Sequence, residues 1–326
     1  MFDDIIDETN AACAERLRSF INDAHDIGFF VGSGLSQPAY PDWWTLVTRF
    51  SDHFREAASH LPAISVPPPN ELRDLLPRDL QDIFQRFREC DAHTYVDCVK
   101  GIFEAPPSLY SPSLMKIVRT RPKLIGTINF DNSIEAVAEE CGVEIDARFF
   151  PGIRYVKQAS DNVPVVMHVH SKFHEKLYDD PERLILHRAA YKRWYEEGDQ
   201  PLVQTLAEIF LGYDVIFVGT RLAEPEMESF FKALERYHRS SHGANRARIA
   251  LVGSQAKLQI ANVDQFAGVL REEQSRDTVA AAETGIERVR FFAKGEHYPG
   301  LHDVLCSVFG QKTVVPQPKP LWENAI

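Results

Sequence analysis

The chain has 326 residues, 44% of them hydrophobic, and a formal net charge of −11. That is enough for one large α/β domain with an elaboration, or for two domains. The acidic balance argues against a surface built to hold nucleic acid or an anionic membrane, leaving room only for a local basic patch, and there is neither a run of about 18 apolar residues to span a bilayer nor a basic flank at the acidic start Met1–Glu8. No nucleic-acid or membrane partner is expected, and the expected location is cytoplasmic. The five cysteines, Cys13, Cys90, Cys98, Cys141 and Cys306, include no CxxC pair, so no disulfide framework or zinc knuckle is encoded.

Ala11, Ala14, Leu17, Phe20 and Ile21 recur at helical spacing and lead into the first predicted strand, Ile27 to Val31. Gly32-Ser33-Gly34-Leu35-Ser36 follows as a tight turn whose backbone amides lie bare enough to meet a phosphate. Asp42 can cap a helix through Trp43, Trp44, Leu46, Val47 and Phe50. From about Ser51 to Val118 amphipathic segments appear without a strand, broken by Pro67-Pro68-Pro69 and Pro106-Pro107.

Alternation then resumes. Lys123 to Thr127 is a strand, Ile128 to Asn132 a turn and Ser133 to Cys141 a helix that Gly142 can stop. Val163 to Val169 is a strand leading into His170, followed by helices over Ala189–Trp194 and Leu202–Leu211. Val215 to Gly219 is the most apolar strand; Glu226–Tyr237 is a helix, Ala247–Val252 and Val289–Phe292 are strands, and Leu301–Phe309 is a closing helix. This pattern implies an α/β fold with a doubly wound, mostly parallel Rossmann-like sheet. Residues 1–50 and 118–311 form that discontinuous domain, 51–117 a helical insertion, and 312–326 a proline-containing tail or linker.

In such sheets ligands sit beyond the carboxyl ends of the strands. The turns there carry Gly32-Ser33-Gly34, then Asn129 and Asp131, then His168 and His170, then Gly219-Thr220. Each has a plain structural reading: a tight turn, an Asx turn or helix cap, a satisfied core histidine, a strand-terminal glycine. No Cys or carboxylate lies near the histidine pair at ligand spacing, so no metal is expected.

The order of these signals, GxGxS, then T-x-N-x-D, then a histidine at a strand end, then Gly-Thr-x-Leu, resembles the sirtuin superfamily. Leu184 to Tyr191 and Gly219 to Pro225 make it similar to the zinc-free, sirtuin-like NAD hydrolases of bacterial antiphage defence, without the zinc lobe of the deacetylating sirtuins.

The resemblance implies NAD as substrate, extended across the sheet, and no metal. Gly32, Ser33 and Gly34 would face the pyrophosphate with Ser36 close by. Pro41-Asp42-Trp43 looks like the family's Pro-Asp-Phe, which adds Asp42 to the binding set, while Trp44 stands where the family has arginine. Asn129 would hold the ribose hydroxyls and the attacking water, Asp131 would belong to the binding set by holding the loop, and His170 would be the catalytic histidine, with Ser171 replacing the family's glycine after it and His168, otherwise structural, as the fallback assignment. Gly219, Thr220 and Ser254 would lie on the adenosine side, with Arg221 replacing the usual serine.

Breaking the nicotinamide–ribose bond needs polarised ribose hydroxyls and a placed nucleophile, which a neutral histidine and an amide supply. The expected function is an NAD glycohydrolase serving as an abortive-infection antiphage effector, gated by homo-oligomerisation or by a defence partner of the ATPase translocase or argonaute type. The alternatives are a non-catalytic NAD or ADP-ribose sensor or assembly scaffold and, disfavoured by the missing cysteine pairs, a protein deacylase.

Overall fold

A computed structural model describes residues 2–310 except 38, 42, 58–63, 65, 73–74, 105–109, 153–162, 199, 221, 223, 241–245, 255–262 and 293–298. Helix α1 (Phe2–Asp23) delivers the chain into β1 (Ile27–Val31). A single 3₁₀ turn, Ser33–Leu35, precedes four helices: α2 (Trp43–Ala57), α3 (Pro69–Leu72), α4 (Pro77–Cys90) and α5 (Ala92–Phe103). After α6 (Pro112–Arg119) come β2 (Leu124–Thr127), α7 (Ser133–Glu140), β3 (Asp146–Phe149) and β4 (Val165–His168). Helix α8 (Arg188–Tyr191) runs into a π-helical turn, Lys192–Glu196. The rest is α9 (Pro201–Gly212), β5 (Asp214–Val218), α10 (Pro225–Ser240), β6 (Arg248–Gly253), α11 (Val263–Thr284), β7 (Glu287–Phe291) and α12 (Pro299–Phe309).

The strands form one seven-stranded sheet in the order β3-β4-β2-β1-β5-β6-β7, every pair parallel. The chain winds from β1 to one side through β2 and then to the other through β5, so β1 marks the switch in strand order, the usual ligand position in this architecture. The fold is the doubly wound, Rossmann-like sheet expected, and the apolar runs of β1, β2, β4, β5 and β6 follow from burial on both faces. Phe29, Val31, Ile125, Val166, Ile216, Val218 and Ile249 pack with α1, α6, α7 and α12. Phe30, Leu124, Val165, Met167, Val215 and Phe217 pack against α8 to α10.

A third core caps the carboxyl edge of the sheet. Val47, Phe50 and Phe54 of α2 meet Phe84 and Phe87 of α4 and Tyr95 and Val99 of α5. Helix α6 instead packs on α7 and α12. Helix α2 packs with α4 and α5 in this layer.

Strand β3 and helix α11 lie outside the expected elements. Asp146-Ala147-Arg148-Phe149 is a half-buried edge strand with charges at alternate positions, and α11 is polar along most of its length. Among the described residues no helix is long and apolar enough to cross a membrane, and no group of three or more His, Cys, Asp or Glu could hold a metal ion.

Candidate functional site

Register brings the predicted loops into line. Val31 pairs with Thr127 and Val218, and Thr127 pairs with His168, so the residues that follow all leave the sheet side by side. The glycine turn after β1 interlocks with the turn after β5. Gly32 N donates to Val218 O and Gly34 N to Gly219 O, both at 2.9 Å. A Cβ on Gly32 would meet Gly219 O at 2.5 Å and Thr220 Cα at 2.6 Å; Gly219, at φ +71°, would place one 2.9 Å from Leu35 N. Leu35 N and Ser36 N donate to Gly32 O and Ser33 O. Four amides of the expected bare turn are thus engaged with carbonyls, and its glycines are required by the neighbouring backbone.

Thr127 fastens the second loop. Its hydroxyl donates to Val31 O at 2.8 Å and accepts from Asn129 N at 3.0 Å. Asn129 Nδ2 donates to Ser36 Oγ at 2.9 Å, and the Asn129 carbonyl lies 3.1 Å from His168 Nδ1. His168 Nε2 faces Glu135 Oε1 at 3.0 Å, and Lys172 Nζ donates to the same oxygen at 2.6 Å. Burial alone would raise the Glu135 carboxyl, but His168 and Lys172 bring it down to about 2. His168 is thus committed at both ring nitrogens and sets the Asn129 backbone. Asp131 accepts from Ser133 N at 2.9 Å. Burial lifts its carboxyl above the ordinary range against hydrogen bonds from Ser133 and Ser36. A cavity of about 30 Å³ lies between Ser33, Asn129, Asp131, Trp43 and Phe103, room for a water or two.

His170 stands in a separate chamber. It is fully buried, with Nε2 2.8 Å from the Tyr195 hydroxyl and 3.9 Å from Glu224 Oε2. The rings of Tyr191 and Tyr195 stack at 5.8 Å, and the imidazole meets both edge-on. Burial pushes His170 down to about 3, so the ring is neutral, while burial, reinforced by Glu226, pushes Glu224 up to about 8. Among the described residues no hydrogen bond joins Asn129 to His170. The residue after His170, Ser171, sits at φ +71°, a conformation that favours glycine. The backbone keeps the glycine-type turn although the side chain differs.

The other predicted residues lie further along the edge. Thr220 Oγ1 accepts from Leu222 N at 3.3 Å beside the interlocked glycines. Ser254, following β6, donates to Glu273 of α11 at 2.7 Å, and Glu273 also pairs with Arg290. Asp42 and Arg221 lie outside the described residues. Tyr191, Tyr195, Glu224 and Glu273 are absent from the residues expected at the site. Tyr191 and Glu224 fall inside the two segments that carry the sirtuin-like resemblance, and a signal for Tyr195 was its position four residues after Tyr191 on one helical face.

The fold and these loops can be set against known proteins. Residues 123–274 match the SIR2-like domain family. That stretch, just under half of the chain, holds Asn129, Asp131, His170, Tyr191, Tyr195, Gly219, Thr220, Glu224 and Ser254, and leaves out the glycine turn after β1. One solved structure, from work on the structural basis for the mechanism and regulation of Sir2 enzymes, aligns over 91% of this chain and 97% of that chain. The identity is 11% and the TM-score 0.42. No curated protein matches. The SIR2-like match thus takes in both the Asn129 loop and the His170 chamber.

Proposed function

We propose that the chain binds NAD across the carboxyl edge of its sheet and hydrolyses the nicotinamide–ribose bond, giving nicotinamide and ADP-ribose. The observation that carries this reading is the placement of Asn129 and His170 two residues beyond the paired ends of β2 and β4, within the stretch that matches the SIR2-like domain. Gly32, Ser33, Gly34 and Ser36 would line the pyrophosphate side, with Gly219, Thr220 and Ser254 toward the adenosine. In this reading Asn129 turns its amide from Ser36 to the ribose hydroxyls or the attacking water. His170, which burial holds down to about 3 while the loops are closed, would take the proton that the attacking oxygen releases once opening lets water restore its basicity. The bond electrons leave with the nicotinamide nitrogen, which is already cationic in NAD, so no acid is needed on the leaving group. The residues fit this chemistry, since the amide orients without adding charge and the Nδ1 atom of His170 is buried with no hydrogen-bond partner among the described residues.

The small cavity and the buried imidazole mean that the loops must separate before a dinucleotide enters. That fits an effector gated by self-association or by a partner, and an antiphage role through NAD depletion. The helical unit has the contacts to transmit such a signal. Gln85 of α4 lies 2.9 Å from His187 Nδ1 and accepts from Ala189 N at 3.0 Å, and Gln81 accepts from Arg188 at 3.2 Å, so α4 grips the helix that carries Tyr191. A ring-forming ATPase or an argonaute would be the partner class. The engagement of Asn129 with Ser36 and of His170 with Tyr195 also favours a second reading, a sensor that binds NAD or ADP-ribose without turnover.

Chromatography of NAD incubated with the purified chain, both dilute and at concentrations that favour self-association, tests the reading. Equimolar nicotinamide and ADP-ribose are expected. NAD bound but unconsumed at every concentration would favour the sensor.

A further inference from the structure

The chamber around His170 holds more polar atoms than its hydrogen bonds account for. His170 Nδ1, the Tyr191 hydroxyl, both carboxyl oxygens of Glu224 and one of Glu226 are buried without a hydrogen-bond partner among the described residues. Unpaired buried groups of this kind are rare, and each needs an explanation in strain, chemistry or a bound water. Two of the residues are acids. Glu226 has partners at its rim, Arg188 at 3.5 Å and Gln81 at 3.4 Å. Among the described residues Glu224 has His170 at 3.9 Å and the Tyr191 hydroxyl, which faces it without closing a hydrogen bond. The loop that presents Glu224 is strained as well: Leu222 sits at φ +52°, and Glu224 directly precedes α10, its carbonyl accepting from Glu228 N at 2.9 Å.

We infer that Glu224 is the positioning residue of His170, holding the imidazole with its proton on Nε2 so that Nδ1 is the bare base offered to the substrate. This rests on the reading of His170 as the base in NAD hydrolysis. The neutral ring has two tautomers. With the Tyr195 hydroxyl donating to Nε2, the proton sits on Nδ1 and the ring cannot accept one there. A carboxylate 3.9 Å from Nε2 favours the other tautomer, with Nε2–H pointing at Tyr195 and Glu224. The reacting O–H bond then breaks, its proton passes to Nδ1, and its electron pair stays on the attacking oxygen. Nε2 keeps the proton it carries, and the resulting imidazolium faces the Glu224 carboxylate. This is the division of labour between an orienting acid and a histidine base. Among the described residues the titratable and charged groups around the pair are Tyr191 of α8, Tyr195 of the π turn and Glu226 of α10, with Arg188 of α8 on Glu226.

Because burial holds Glu224 protonated until about pH 8, nicotinamide release by the wild-type chain rises through an alkaline limb near that pH. Glu224→Gln keeps the side-chain shape and removes that limb, lowering kcat roughly tenfold or more at pH 9 with KM nearly unchanged. Glu226→Gln removes the charge that helps to raise Glu224, so the limb moves to lower pH. Ring ¹⁵N shifts of His170 at pH 9 supply a readout that needs no turnover: Nε2–H in the wild type, Nδ1–H in Glu224→Gln. Unchanged ring shifts and an unchanged limb in a folded Glu224→Gln chain would overturn the inference. Should that variant not fold, an unmoved pH midpoint of the ring shifts in Glu226→Gln overturns it instead. If the wild type releases no nicotinamide at any pH, the hydrolase reading falls alone, and the ring shifts still decide the role of Glu224.

Discussion

Replacing Gly32 by alanine separates two reasons for the glycine turn after β1. The backbone there has φ −106° and ψ 177°, which alanine adopts without strain, so the requirement is one of space. The new methyl carbon would lie 2.5 Å from Gly219 O and 2.6 Å from Thr220 Cα, against an ordinary contact of 3.4–4 Å. Both obstacles are backbone, so the two turns must part by about 1 Å. Overpacking of this kind costs about 1–3 kcal/mol. The bonds from Gly32 N to Val218 O and from Gly34 N to Gly219 O are stretched or lost, about 0.5–1.5 kcal/mol each. The stiffer unfolded chain returns about 0.4–1 kcal/mol. The net is a loss of roughly 1–6 kcal/mol, or about 2–8 °C in thermal midpoint at about 1.5 °C per kcal/mol for a chain of 326 residues. Thermal unfolding without NAD reads it directly. A midpoint within about 1 °C of the wild type, with NAD binding abolished, would show that the glycine serves the pyrophosphate and would refute the interlock.

Three further outcomes follow from the same neighbourhood. Ser171→Gly relieves a left-handed residue and raises stability by about 1 kcal/mol in urea unfolding, with NAD cleavage retained; a loss of stability would contradict it. Glu135 has its carboxyl held at about 2 in the folded chain, below its unfolded value, so its contribution is present above about pH 4.5 and disappears as the pH falls through about 2. Glu135→Gln should lose up to about 3 kcal/mol at pH 7 and converge with the wild type in strong acid; parallel curves across the pH series would count against the His168–Glu135–Lys172 triad. Glu224 has the opposite sign: its folded value near 8 lies above the unfolded one, so its contribution is full below about pH 4.5 and lost as the pH rises through about 8. Glu224→Gln should therefore gain on the wild type between pH 5 and 9, by up to about 5 kcal/mol, and a gap that does not widen with pH would refute the buried carboxyl.

The parts of the fold visible in the sequence are those where one residue's burial decides the element. Phe29-Phe30-Val31 and Val215 to Val218 are apolar on both faces because both faces of a central parallel strand are covered. Strand β3 was not visible, since Asp146 and Arg148 sit at an edge where the ladder, and not burial, makes the strand. Helix α11 was hidden by its polar sequence. Of the site, the loops were visible because glycine, asparagine and histidine follow recognisable strands. Their partners were not: Tyr191 and Tyr195 share a helical face by spacing, but that they and Glu224 converge on His170 from α8, the π turn and the loop before α10 is set by the tertiary fold. The turn at Gly32 was visible as a turn but not as half of an interlock, because the other half, Gly219, is 187 positions away.

Cleavage of NAD by Asn129 and His170 acting together stands or falls on nicotinamide release by Asn129→Ala and His170→Ala chains whose NAD binding is followed in the same samples by calorimetry. Both variants should still bind NAD, and both should lose release by roughly a hundredfold or more. Release at the wild-type rate from both would leave neither residue a part in breaking the bond.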